Sequence, residues 1–593
     1  MTNPDYLPID GAWRFVPDPH GDGERLGFWK TGHDVGLWRE VNIPSCFEAG
    51  CPDIDFYEGV CWYHRAFRLP AAWSGQRIVL RFEAVNYRAG VWLDGEFLGE
   101  NRDGFLPFEF EIQDKVRRDG DSVLVLSVDN AHHEGDVPGM HVGWRGYGGI
   151  LREVCLYRTD PLYIESIRTI AAPCGQDGEV EFHLRVCNTG RDDATGVTLD
   201  ITVQDTAGRA CAEFASSPIT LAASAVADVL IKGTLEGIHA WSPSSPVLYH
   251  AHVRLVAGHQ VKNEKHVPFG FRRIEATPGG LLLNGKPIFL TGFNRHEDSP
   301  RTAAAVDLET TRHDLETMKE AGANFVRLCH YPHHQAELDM CDRIGLLVLA
   351  EIPLYFWNDV EEGRRTNAAR VQTAARQLEC MIARDFNHPS IVFWSVSNET
   401  QETEPEVVAS NSELVRRARA LDPTRLCVHV SCHWINTPHF EEDDVICVNY
   451  YPSISWSARG HTPAMFDLAG SADKWRINLE AIRRRYPGKP VLVTEFGYCS
   501  FAGTFGHSFG EDEHSRVIET EFAVLVAAGV CGATVWCWAD HPWPAGRFLG
   551  GLIVSPFGVV SRDRRKLKPF WTVRGLFRSK QELDPCPQPG GDK

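Results

Sequence analysis

The sequence predicts three domains in series. An N-terminal jelly-roll β-sandwich covers residues 1–160, an immunoglobulin-like β-sandwich covers 161–277, and a C-terminal (β/α)8 TIM barrel covers 278–593. Three observations predict this. The chain has 593 residues, more than one hydrophobic core holds. Its first half is a succession of short alternating or β-branched runs broken by Gly, Asp and Asn. From about Pro278 apolar runs alternate with helix-like segments.

In the first domain RIVLRFEAV, AGVWLDGEFLG and SVLVLSVDN read as strands, with no helix-length periodicity after the first forty residues. In the second, EVEFHLRVCNTG, TGVTLDITVQD, VADVLIKGTL and LYHAHVRLVAG recur at the spacing of an immunoglobulin-like sandwich. Nothing in that domain suggests sugar or metal chemistry, so spacing and bracing is its expected role. The third domain offers eight strands: IFLTGFN, ANFVRLCH, LLVLAE, IVFWSVSN, LCVHVS, VICVNYY, VLVTEFG and GATVWCWAD. Helical runs such as LETTRHDLETMKEAG, QAELDMCDRIG, RVQTAARQLECMIARDF and SELVRRARALD lie between them. Eight strands over about 300 residues is the barrel count, although the helix between the fifth and sixth strands is poorly marked. The competing doubly wound sheet carries a Gly-rich phosphate loop after its first strand, and TGFNRHEDS is not one.

Composition narrows the partners. The formal net charge is -19, which disfavours nucleic acid and anionic membranes. No run of eighteen apolar residues exists to span a bilayer, and MTNPDYLPIDGAWRF does not read as a secretory signal. The 17 cysteines form no C-x-x-C pair. Buried free thiols and a cytoplasmic location are the expectation, with a disulfide framework as the alternative. A small carbohydrate is the expected partner, with homo-oligomerisation left open.

Two apolar runs stop at a carboxylate: IVFWSVSNE at Glu399 and VLVTEFG at Glu495. Barrel enzymes build their sites at the carboxyl ends of their strands. Strands four and seven face each other across the barrel mouth. A pair of carboxylates there suits glycoside cleavage, which in the retaining mode needs them about 5–5.5 Å apart. One must be protonated to assist the leaving oxygen, and the other ionised to attack the anomeric carbon. The alternative is a pair of structural acids.

FNRHED, RLCHYP, NHPSIVFWSVSNE, VNYYP, VTEFG and VWCWAD occur in the order seen in glycoside hydrolase family 2, which the chain resembles over nearly its whole length. The resemblance implies Glu399 as general acid/base and Glu495 as nucleophile. Asn398 would donate to the sugar 2-hydroxyl, His330 would contact the sugar, and Tyr451, or Tyr450 if the alignment slips by one, would bond the nucleophile. Trp536 would be a stacking platform followed by a cis bond to Cys537. Arg327 would hold Glu495 ionised. Asp540 would bind a hydroxyl or cap a turn, and Arg295 and His296 would shape the pocket floor. Trp144, Arg145 and Tyr147 are candidates for a wall donated by the first domain. Strict strand alternation sends Asn398 and Glu399 to opposite faces, so irregular backbone is expected there.

The pattern departs from its relatives in three places. The Asn-x-Lys pair that clamps a glucuronide carboxylate is replaced by Ser555 and Phe557, leaving Arg562, Arg564 or Arg145 to supply charge. Tyr355 and Trp357 stand where magnesium-using β-galactosidases have Glu-x-His, and Val142 stands at their sodium-site aspartate. No cofactor or metal is implied, and zinc at HYPHH is disfavoured because His333 and His334 open a helix without further ligands. The expected activity is an exo-acting retaining β-glycosidase of β-galactosidase type. A β-glucuronidase or other β-uronidase, an inactive carbohydrate-binding protein and a transglycosidase are the alternatives. The loop from Trp456 to Trp475 and the polar stretch from Asn358 are expected to rim the pocket.

Overall fold

The computed structural model describes residues 5–583, apart from residues 134, 140–141, 357–367, 455–467, 507 and 544–552. Trp357, the stretch from Asn358 to residue 367 and most of the Trp456–Trp475 loop therefore lie outside the described residues. Trp475 itself is buried.

The first domain packs antiparallel sheets of six, four and three strands. Along Ser122–Asp129, Leu124, Leu126 and Val128 turn inward to Trp13, Phe15, Tyr63 and Leu80. Val125 turns to the opposite face, where Trp38, Trp62 and Trp92 cover it. Both faces of this central strand are thus covered at Leu124, Val125 and Leu126, and it loses clean alternation. The second domain pairs a three-stranded with a five-stranded sheet around Phe182, Leu199, Ile201 and Val253. A small antiparallel sheet, Ile274–Thr277, Gly280–Leu283 and Lys286–Ile288, straddles residue 277 and leads into the barrel.

The barrel is closed by eight parallel strands: β1 Leu290–Arg295, β2 Phe325–Leu328, β3 Leu347–Glu351, β4 Ile391–Asn398, β5 Leu426–Ser431, β6 Ile446–Asn449, β7 Val491–Phe496 and β8 Gly532–Val535. Every residue in them is buried, as strands covered by side chains inside and helices outside must be. The helices are α1 Leu308–Glu320, α2 Gln335–Ile344, α3 Ala368–Asp385, α4 Pro405–Leu421, α5 Leu468–Arg485, α6 Glu511–Ala527 and α7 Lys568–Leu583. Asp307 caps α1 by accepting from the Thr310 backbone N–H. Gly345 ends α2 at φ 81°, where a Cβ would meet the Pro243 carbonyl at 2.5 Å. No helix joins β5 to β6. Trp434 and Phe440 fill the gap, the first stacked on Trp475 and the second on His429.

Buried arginines tie the sandwiches to the barrel. Arg152 of the first domain donates to Glu297, at 2.9 Å, and to the Phe105 and Pro332 carbonyls. Arg272 caps the carbonyls of Pro389, Ile391 and Thr424 beneath β4 and β5. Removing one member of a buried ion pair costs about 3–5 kcal/mol, because the partner charge is stranded. Arg152→Ala should therefore lower stability by about that amount in a denaturant titration; a change below about 1 kcal/mol would show that this contact does not hold the domains together.

Candidate active site

Polar residues interrupt the apolar barrel strands at their carboxyl ends, and they converge on Arg327. This third residue of β2 is fully buried. Its Nη1 donates to Glu495 Oε1 at 2.6 Å and to Asn294 Oδ1 at 3.0 Å. Its Nη2 donates to Glu351 at 2.9 Å and to Asn398 Oδ1 at 2.6 Å, and lies 3.1 Å from His330 Nδ1. The two carboxylates outweigh burial and hold the guanidinium charged.

Glu495 stands near the end of β7, and the Tyr451 hydroxyl donates to its second oxygen at 2.6 Å. Burial pushes its carboxyl up, while Arg327 and Tyr451 both favour its anion. Tyr450 instead packs on Trp434 and Trp475. Glu399 follows β4 with φ 50°, just where the β4–β5 register shifts. The expected irregularity is real: it lets Asn398 reach Arg327 while Glu399 accepts from Asn449 Nδ2 at 2.7 Å. Burial, then the negative charge of Glu495, push the Glu399 carboxyl up to about 8. Among the described residues no cation bonds it directly. The pair is therefore asymmetric: one acid is anchored to a cation, and the other to a neutral amide.

Aromatic rings surround these acids. Trp536 follows β8, joined to Cys537 by a cis peptide. Its ring stacks on His330 at 5.4 Å and meets His296 edge-on at 5.6 Å. Trp144 of the first sandwich packs on His330, His296, Tyr331 and Tyr355. Trp144, Arg145, Tyr147, His296 and His541 line one cavity of about 20 Å³ between sandwich and barrel. Arg145 is held there by Asp55 at 2.5 Å and covers the Phe56 and Tyr147 rings. Asp540 accepts from the Gly558 backbone N–H at 2.9 Å and so ties β8 to the following chain. Arg295 faces outward, between Asp314 of α1 and Glu337 of α2; the preceding residue, Asn294, faces inward to Arg327.

Three site residues escaped the sequence reading. Asn294, Glu351 and Asn449 each end or nearly end an apolar strand, the same signal that marked Glu399 and Glu495. Glu351 receives Arg327 and the Ser395 hydroxyl. Asn449 bridges Glu399, Asn398 and the Thr494 hydroxyl. His334 caps α2 and meets Glu153, while His333 meets Glu337. Ser555 and Phe557 are buried. Arg562 is bonded to Asp298, and Arg564 to Asp314.

Residues 26–160 match the sugar binding domain of glycosyl hydrolases family 2, residues 162–272 match the model that bears the name glycosyl hydrolases family 2 alone, and residues 274–522 match the family's TIM barrel domain. A β-glucuronidase of Paenibacillus borealis is 27% identical over 96% of this chain and 98% of its own. A β-galactosidase of Thermoanaerobacter pseudethanolicus is 29% identical over 66% of this chain and 51% of its own. The solved structure of an uncultured Clostridium sp. β-glucuronidase superposes with a TM-score of 0.85 at 25% identity, covering 98% of this chain and 99% of that one. Successive domain matches over most of the chain, and one fold across it, place the protein: it belongs to glycosyl hydrolases family 2.

Proposed function

We propose that this chain is an exo-acting retaining β-glycosidase. Glu495 attacks the anomeric carbon while Glu399 gives its proton to the leaving oxygen. Glu399, now ionised, then takes a proton from water as that water displaces Glu495 from the sugar. The observation that carries this reading is the asymmetry of the two acids. Arg327 and Tyr451 grip Glu495 and favour its anion, while Glu399 is pushed up to about 8 and keeps its proton at neutral pH. Asn398 lies between them on the same guanidinium, positioned for a sugar hydroxyl. Trp536 and Trp144 supply apolar walls.

For the sugar, β-glucuronides are the first reading, supported by the Paenibacillus and Clostridium relatives. A neutral sugar of galactoside type is the second, favoured by a specific observation. Ser555 and Phe557 offer no cation, and Arg145, Arg562 and Arg564 are each already paired with an aspartate. A panel of nitrophenyl β-glycosides decides between them. Turnover of the glucuronide at least tenfold above the galactoside supports the first reading, and the reverse ratio supports the second. An inert wild type across the panel contradicts catalysis altogether.

Two variants test the roles. Glu495→Gln should abolish turnover without unfolding the chain. Glu399→Ala should slow glycosides with poor leaving groups by about 10²–10⁴, the usual worth of a general acid, and dinitrophenyl glycosides far less. Equal losses on both would remove Glu399 from the acid role. Asn449 donates to the Glu399 anion and so lowers its pKa. Asn449→Ala should raise that pKa further, moving the alkaline limb of kcat/KM to higher pH; a limb that stays or moves down would show that another group sets it.

A further inference from the structure

Three buried side chains on the pocket floor, two imidazoles and a thiol, form a cluster with metal-ligand chemistry. His296 follows β1, and Cys329 and His330 follow β2. One ligand atom from each lies within 4.8 Å of the other two. His296 is 8% exposed, and its Nε2 has no hydrogen-bond partner among the described residues. His330 Nδ1 lies 2.8 Å from Glu351, the carboxylate–imidazole pairing that orients metal-binding histidines.

We propose that His296, Cys329 and His330 form a binding site for a zinc-class cation, with its fourth position open to the sugar pocket. Two imidazoles and a thiolate are a donor set that suits a borderline ion. Zinc bond lengths of about 2.0–2.3 Å in a tetrahedron put ligand atoms roughly 3.5 Å apart, so side-chain rotations of about 1 Å close the site. On binding, the thiol proton leaves to solvent as the sulfur–metal bond forms, so affinity rises with pH. Glu351 and Glu495 offset the incoming charge, and Arg327 opposes it.

The two other clusters of this kind are weaker candidates. Glu297, His333 and Glu337 are already met by Arg152 and Arg295. In the third, Asp342 already holds His388 and the Ser390 backbone N–H.

Zinc titration of the full chain by calorimetry, without any glycoside, tests the site independently of the catalytic reading. Wild type should bind one equivalent, weakened at least tenfold in Cys329→Ser. The cobalt(II) form should show a sulfur-to-cobalt charge-transfer band that the variant loses. If Cys329→Ser does not fold, His296→Asn should show the same weakening. Absence of stoichiometric binding, equal affinity in wild type and variant, or a cobalt spectrum without the sulfur band overturns the proposal. On the glycosidase reading, zinc displaces the sugar beside Trp536. A wild type that binds zinc yet keeps full turnover overturns that inhibitory part.

Discussion

The buried guanidinium of Arg327 is the constraint on which the rest of the site depends. Taking a cation out of water costs several kcal/mol, recovered only when charged partners and hydrogen bonds saturate it. Here Glu351 and Glu495 supply the charge, and Asn294 and Asn398 accept further bonds. These groups come from four strands, β1, β3, β4 and β7, and Arg327 on β2 joins them. One positive charge against two negative ones already leaves the floor net negative. Burial first, and then the charge of Glu495, oppose ionising Glu399, and its proton is retained for that reason. The same arrangement therefore sets the geometry of Glu495, the proposed nucleophile, and the protonation of Glu399, the proposed acid.

The first sandwich completes what the barrel begins. Trp144 closes over His296 and His330, and Arg152 clamps Glu297 in the loop that carries His296. The second sandwich meets the underside of β4 and β5 through Arg272, away from the acids. One domain thus acts on the pocket wall and the other on the barrel's support.

Much of this was legible in the sequence because it rests on local pattern. Strands buried on both faces read as apolar runs, and two carboxylates ending such runs on strands that face each other across the barrel mouth point to a shared site. The break in alternation at Asn398 and Glu399 followed from two neighbours needing one pocket. Other features depend on contacts between distant segments. Asn294, Glu351 and Asn449 carried the strand-end signal, but only the closed barrel shows that they share partners. Arg295 and Arg327 sit at comparable places in neighbouring strands. Only the register of β1 turns the first outward to α1 and α2, while the second reaches the acids. The link from β5 to β6 looked like a poorly marked helix because aromatic packing by Trp434 and Phe440 does that work. The sugar was the least legible element, since Ser555 and Phe557 point away from a uronate clamp while the named relatives include β-glucuronidases.

The central claim is that Glu495 forms a bond to the sugar. Incubation with an activated 2-deoxy-2-fluoro glycoside of the preferred sugar slows hydrolysis of that bond, and peptide mapping by mass spectrometry then locates the added mass. The account predicts one sugar per chain, carried on Glu495 in the peptide containing VLVTEFG. A label on any other residue, or steady turnover of ordinary glycosides with no label under these conditions, would contradict it.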